Sequence, residues 1–193
     1  MGRTELQKLI EQKKLAKKQI LANFWPQKDA RKKDDQAVLV VLPPTEHRNQ
    51  IKVFAELLQG LLILPMRVVV LSEHEAPNNL EKGKIGWVNL SQFKSGKSAA
   101  KNKAQYLMAA DLGLIFEEHQ AMVQELFENG VVPVGAEKST LLENYRPNEE
   151  TGNSFTFDSL NPWAIFLALG RAVETFKFPY DWQHIIRGIL NVR

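Results

Sequence analysis

The strongest constraint on this chain is a set of short, continuous apolar runs separated by stretches of helical periodicity. Residues 37–42 read AVLVVL, 67–71 RVVVL, 112–116 LGLIF and 131–134 VVPV. A strand with one wet face alternates polar and apolar residues. A strand apolar at nearly every position is buried on both faces, as in a parallel sheet covered by helices. Helical periodicity fills the gaps at residues 47–63, 98–110 and 120–129, and again at 162–176 and 180–190. Gly60 is expected to break the first of these near its end. Gly130 is expected to close the third as a left-handed cap. Asn161 and Pro162 supply an N-cap and a first-turn proline for the fourth. Residues 85–90 fit a short strand and 155–157 a short extended piece. The class that follows is α/β, a doubly wound parallel sheet of Rossmann-like type. In such sheets ligands bind beyond the carboxyl ends of the strands. Those ends fall at residues 43–47, 72–75, 117–120 and 135–140.

A chain of 193 residues suits one domain with an arm. Residues 4–24 read as an amphipathic helix with lysines between its apolar positions. Pro26 stops it and 27–35 is a polar linker, giving an arm at 1–35 and a domain at 36–193. Residues 1–35 hold ten Lys/Arg against five Asp/Glu, whereas the remainder holds fifteen against seventeen, so the basic character belongs to the arm. Its only aromatics are Phe24 and Trp25, so it offers bases no stacking platform, and nucleic acid is not an expected partner. Cysteine is absent, which excludes disulfides, thiolate metal sites and a cysteine nucleophile. No apolar run approaches the roughly 20 residues that span a bilayer. The N-terminus lacks the apolar region of a signal peptide. A cytoplasmic protein without membrane contact is expected.

Isolated motifs carry little. The GKS at Gly96, Lys97 and Ser98 lacks the phosphate loop's earlier glycine, since Ser91 stands there, and reads as a chance match. The histidines His47, His74, His119 and His184 form no metal-ligand spacing and read as exposed loop residues; no metal site is expected. Trp163, Phe176, Phe178 and Trp182 read as core rather than as a sugar-stacking cluster. Glu117 lies at a strand end, and Glu125 lies eight residues on in the next helix. One can reach a ligand over the sheet, and the other can accept hydrogen bonds from ribose hydroxyls.

The order of the pieces says more. Ala110-Asp111, then Phe116-Glu117, then Gly130-Val131-Val132-Pro133-Val134, resembles glycogen and starch synthases, glycosyltransferases of GT-B architecture. The resemblance continues through Asn144 to Gly152 (NYRPNEETG), Phe155-Thr156-Phe157, Pro162-Trp163-Ala164, Ala172-Val173-Glu174 and Asp181-Trp182. It covers nearly the whole chain and matches the C-terminal half of such enzymes. The resemblance implies a single GT-B half-domain that binds a nucleotide-sugar donor, ADP-glucose or UDP-glucose, with no other cofactor. It implies Glu117 as the catalytic-site carboxylate and Glu125 as the ribose ligand. Lys138, Ser139 and Thr140 take the place of a Thr-Gly-Gly phosphate loop. The family's two cations after the first strand align with Pro44 and Asn49, and Arg48 is the neighbour able to substitute. The second glycine turn aligns with Ser72-Glu73-His74-Glu75. Each buried charge-assisted bond to phosphate contributes roughly 1.5–3 kcal/mol, so these departures weaken donor binding. The acceptor half has no counterpart. Glucosyl transfer to an α-glucan would therefore need a partner chain carrying that half, and activity alone is not expected. The alternative is a catalytically dead interaction or scaffold protein that kept the fold.

Overall fold

The computed structural model describes residues 3–25, 36–77, 85–93 and 96–191, with backbone only at 3–5, 96, 97, 99 and 191. The 27–35 linker and the Lys94-Ser95 lead-in to GKS lie outside the described residues. Six strands form one wholly parallel sheet: β1 (Ala37–Val41), β2 (Met66–Ser72), β3 (Ile85–Asn89), β4 (Leu112–Leu114), β5 (Val132–Ala136) and β6 (Phe155–Phe157). Their spatial order is β3-β2-β1-β4-β5-β6. The doubly wound parallel class expected from the apolar runs is what the chain adopts.

Among the described residues six α-helices accompany the sheet: α1 (Arg3–Phe24), α2 (Arg48–Leu61), α3 (Gly96–Ala109), α4 (Met122–Glu128), α5 (Pro162–Phe176) and α6 (Pro179–Asn191). The chain winds outward from β1 to β2, then returns across the sheet from β3 to β4. Right-handed crossovers therefore send α2 and α3 to opposite faces. α2 packs with α5, and α1 packs with α3. Both faces being covered, every residue of β1 is buried, which is why AVLVV carries no alternation. Val40 pairs with Val69 on one side and Gly113 on the other, at the centre of the sheet.

The basic helix α1 belongs to this packing. Leu6, Ala16, Ile20 and Leu21 are buried in the same core as the strands. Each fully buried Ile or Leu contributes roughly 1.5–3 kcal/mol, enough to hold the helix on the sheet. Its lysines reach the domain too: Lys13 Nζ donates to Ala110 O at 2.6 Å and to Asn129 O at 2.9 Å.

Two glycines act differently from each other. Gly130 does cap α4, with φ of 59°. Gly60 does not break α2, which runs on to Leu61. A Cβ at Gly60 would sit 3.4 Å from the Phe166 ring, an ordinary van der Waals contact, so the packing of α5 does not demand a glycine here. The Asn161 cap is present: its Oδ1 accepts from Ala164 N at 2.9 Å.

Candidate functional site

A cavity of about 450 Å³ opens beyond the carboxyl ends of β4, β5 and β6. Its wall includes Glu117, Lys138, Ser139 and Thr140, four residues singled out by the sequence. Glu117 opens a 3-10 turn directly after β4. Phe116, its N-cap, is fully buried and packs edge-on against Phe54 of α2 at 5.9 Å, which fixes where the turn begins. The loop after β5 is fixed by Glu137 N donating to Phe157 O at 2.9 Å and Ser139 N donating to Ala136 O at 3.1 Å. The Ser139 amide is thus already used, and Lys138 and Thr140 present their side chains to solvent.

Gln50, on the first turn of α2, also lines the cavity. It is 2% exposed, and its Nε2 donates to Glu117 Oε2 at 3.3 Å. That bond fixes the amide's orientation, because the reverse would set an oxygen against a carboxylate. Its Oε1 is then a buried acceptor with no partner. Such an atom costs roughly 1–3 kcal/mol unless a ligand or water donates to it. Glu137 and Asp158 add two carboxylates to the wall, against Lys138 as the one basic residue lining it among the described residues. The cavity therefore favours hydroxyl and amino donors over dense negative charge.

The neighbouring crevice, where strand order reverses between β1 and β4, is closed from within. Glu118 Oε1 accepts from Thr45 N at 2.7 Å and from Thr45 Oγ1 at 3.3 Å, and its Oε2 accepts from Glu46 N at 3.1 Å. These amides lead into α2, where a ligand anion would be favoured. Burial opposes the charge on Glu118. The amides of Thr45, Glu46 and His47 and the field of His119 outweigh it, holding the carboxyl below its usual range. The described start of the loop after β2 is likewise bonded within the chain. Trp87 Nε1 donates to His74 O at 2.9 Å, and Asn89 Nδ2 donates to Glu75 Oε1 at 2.7 Å.

Two other sequence candidates do not join the cavity. Arg48 begins α2, is exposed and is absent from the wall. Glu125 is turned toward α3, where Lys103 Nζ donates to its Oε2 at 2.6 Å. The aromatic group also divides. Phe176 and Trp182 stack edge-to-face at 5.0 Å against the core, whereas Trp163 is 75% and Phe178 58% exposed. The expectation of core fails for those last two. Helical spacing alone does not say which side of α5 meets the sheet, and Phe178 falls between two helices. His119 is not an exposed loop histidine: its Nδ1 is buried without a partner, and Nε2 lies 3.5 Å from Glu118 Oε1. Burial lowers its pKa, against the pull of Glu118.

Sequence reasoning missed Gln50, Glu118, Glu137 and Asp158. The signal for Glu137 and Asp158 was available, because each follows a strand directly. For Gln50 there was none, since a polar residue on an amphipathic helix reads as exposed. Among the described residues no group of three His, Asp or Glu could hold a metal. No described helix is long and apolar enough to cross a membrane.

No protein-family model matches the sequence, and no curated protein sequence does. Among solved structures, the catalytic domain of starch synthase IV from Arabidopsis thaliana, bound to ADP and acarbose, is similar over all of this chain. The TM-score is 0.66 at 16% identity, and this chain spans 41% of that one. At such identity the likeness speaks for the fold: a Rossmann-like half-domain of the kind GT-B glycosyltransferases contain.

Proposed function

We propose that this chain is the donor-binding half of a diverged glycosyltransferase of the starch and glycogen synthase type. The observation that carries the reading is the convergence of Glu117, Lys138, Ser139 and Thr140 on one cavity at the carboxyl ends of β4 and β5. The acceptors Glu117 and Gln50 Oε1 suit the hydroxyls of a glucosyl unit, and Lys138 suits one phosphate of ADP-glucose or UDP-glucose. A sugar bound in this cavity would meet Glu117 in its wall, a carboxylate suited to stabilising the positive charge that develops during transfer. A partner chain would supply the acceptor half and the second wall of a catalytic cleft, with an α-glucan as acceptor. Calorimetry with ADP-glucose and UDP-glucose tests the reading. Saturable heat that is lost in Glu117→Gln and Lys138→Ala supports it; no heat and no thermal shift at millimolar ligand removes it.

One observation favours a second reading, an interaction protein that kept the fold and lost the chemistry. Glu118 holds the amides that lead into α2, so the chain has filled a phosphate position with its own carboxylate. On this reading neither sugar nucleotide binds, and the exposed Trp163 and Leu167 on α5 meet a protein partner. Crosslinking from those two positions, in cells, separates the readings.

A further inference from the structure

A second cavity lies at the opposite end of β4, between α1 and α6, with a volume of about 580 Å³. Its charge is the reverse of the first. Among the described residues Lys13, Lys14, Lys17 and Lys177 line it, against one acid, Asp111, and Lys177 Nζ is also paired with Glu174 Oε1 at 2.6 Å. That acid is already shared: its Oδ2 accepts from Lys17 Nζ at 2.7 Å and from Val38 N at 2.8 Å. Among the described residues Lys13 donates to neutral carbonyls, those of Ala110 and Asn129. Burial drives its pKa down to about 8, with the Asp111 charge pulling it up and Lys17 pushing it down. Positive charge is therefore in excess by Lys13 and Lys14, which contact no carboxylate among the described residues, and around the buried Lys13 a counter-charge is worth more than in water.

The rest of the wall is apolar. Leu9 and Ile10 of α1 face Trp182 and Ile186 of α6, with Phe176 behind. Lys17 Nζ lies 5.0 Å from the Phe176 ring centroid. A volume in the range of about 300–1,000 Å³, apolar walls and a few convergent polar groups describe a small-molecule site. The charge excess says which kind of molecule.

We propose that this chamber binds a single-chain anionic amphiphile, its head group beside Lys13 and Lys14 and its apolar body between α1 and α6. This site is separate from the carboxyl-end cavity, and the proposal stands whether or not a sugar nucleotide binds there. Dodecanoate is the probe, added to the full chain below its micellar concentration and followed by calorimetry and Trp fluorescence. The expected result is saturable one-to-one binding. It should weaken about tenfold or more in Lys14→Glu, where the exposed side chain can change without loss of fold. It should also weaken in Ile186→Trp, which fills the chamber. Dodecyl maltoside, with the same chain and a neutral head, should bind at least tenfold more weakly. Equal binding of the two amphiphiles would overturn the proposal, as would no saturable binding of dodecanoate. Retained affinity in both variants with unchanged circular dichroism would overturn it as well. Phosphatidylglycerol vesicles distinguish the source of the amphiphile. If they compete with dodecanoate, a lipid is the source; if dodecanoate binds and vesicles do not compete, a free acid is. Vesicle binding without dodecanoate binding would mean that the basic surface of α1 acts alone, against the proposal.

Discussion

The two cavities at the ends of β4 share a strand and differ in almost everything else. At the carboxyl end, three carboxylates face one lysine across a half-polar wall. At the amino end, the described lining sets four lysines, one of them paired with Glu174, against the carboxylate of Asp111 across an apolar wall. Only residues 112–116 separate Asp111 from Glu117, yet the first is tied up by a lysine and an amide while the second has one long bond from Gln50. The lesson concerns what each acid is for. Asp111 compensates charge that the fold itself buries, and Glu117 is held available. Losing Asp111 should therefore cost stability, and losing Glu117 should cost ligand binding.

The largest effect is expected at Asp111. Asp111→Ala leaves Lys17, and beside it Lys13, without their acid, and also frees the Val38 amide. Breaking a buried pair from one side costs roughly 3–5 kcal/mol. Urea denaturation should show this as a lower midpoint with an unchanged slope. Lys17→Met, which removes the cation and leaves Val38 N as a partner for Asp111, should cost clearly less. Equal losses would mean that the amino-end charges do not act as a unit.

Glu118 comes next, and it tests whether the closed crevice is structural. Hydrogen bonds to a charged group contribute roughly 1.5–3 kcal/mol, so Glu118→Ala should lose about that much at pH 7. The pH dependence has a definite sign. The folded pKa of Glu118 is depressed from 4.5, so its contribution is present above that value and is lost as pH falls through the folded pKa. His119, whose folded pKa is lowered from 6.5, adds an earlier loss as pH falls below 6.5. In Glu118→Ala the acid limb below pH 4.5 should flatten. An unaltered acid limb would show that the carboxylate is not bound to those amides in solution.

How much of this was legible in the sequence depends on where the information lay. The four apolar runs reported the sheet because burial on both faces leaves no room for alternation. Gly130 and Asn161 reported helix ends because their backbone and side-chain chemistry is local. Glu117 was found because it lies at a strand end, and Lys138 because the family resemblance sets residues 138–140 in the place of a phosphate loop. Gly60 misled, since a glycine inside a helix costs only about 1 kcal/mol against alanine and need not end it. Trp163 and Phe178 misled because residue type says nothing about which side of a helix meets the core. Glu118 lay unnoticed beside Glu117: the amides it holds belong to a loop 72 and 73 residues earlier, a pairing visible only once β1 and β4 are adjacent. Gln50 was hidden for the same reason.

Gln50 gives a smaller stability effect with the opposite sign for binding. Gln50→Leu removes a buried acceptor without a partner, and one long bond. Folding stability should change by less than about 1 kcal/mol, and a gain is the expected direction. Binding of a sugar nucleotide in the same cavity should weaken about tenfold, the loss of one good hydrogen bond at 1.4 kcal/mol. A stability loss above 2 kcal/mol would make Gln50 a structural residue and leave the cavity without its buried acceptor.

The smallest effect is expected at Glu125, and it decides how far the family resemblance carries residue by residue. The resemblance assigns this carboxylate to a ribose, but its Oε2 lies 2.6 Å from Lys103 Nζ, with both side chains partly exposed. A pair in that setting contributes about 0–1 kcal/mol, because water screens it and two long side chains lose freedom to make it. Glu125→Gln should therefore barely move the unfolding midpoint. If Glu125 stays with Lys103 when ligand is present, the affinity for ADP-glucose should also be unchanged. If it leaves Lys103 for a ribose, affinity should fall about tenfold in Glu125→Gln and rise in Lys103→Met, where the carboxylate no longer has a competing partner. The two variants moving in opposite directions would extend the carboxyl-end site across α4. Neither moving would confine that site to the loops after β4, β5 and β6, with Glu117 its only carboxylate shared with the family pattern.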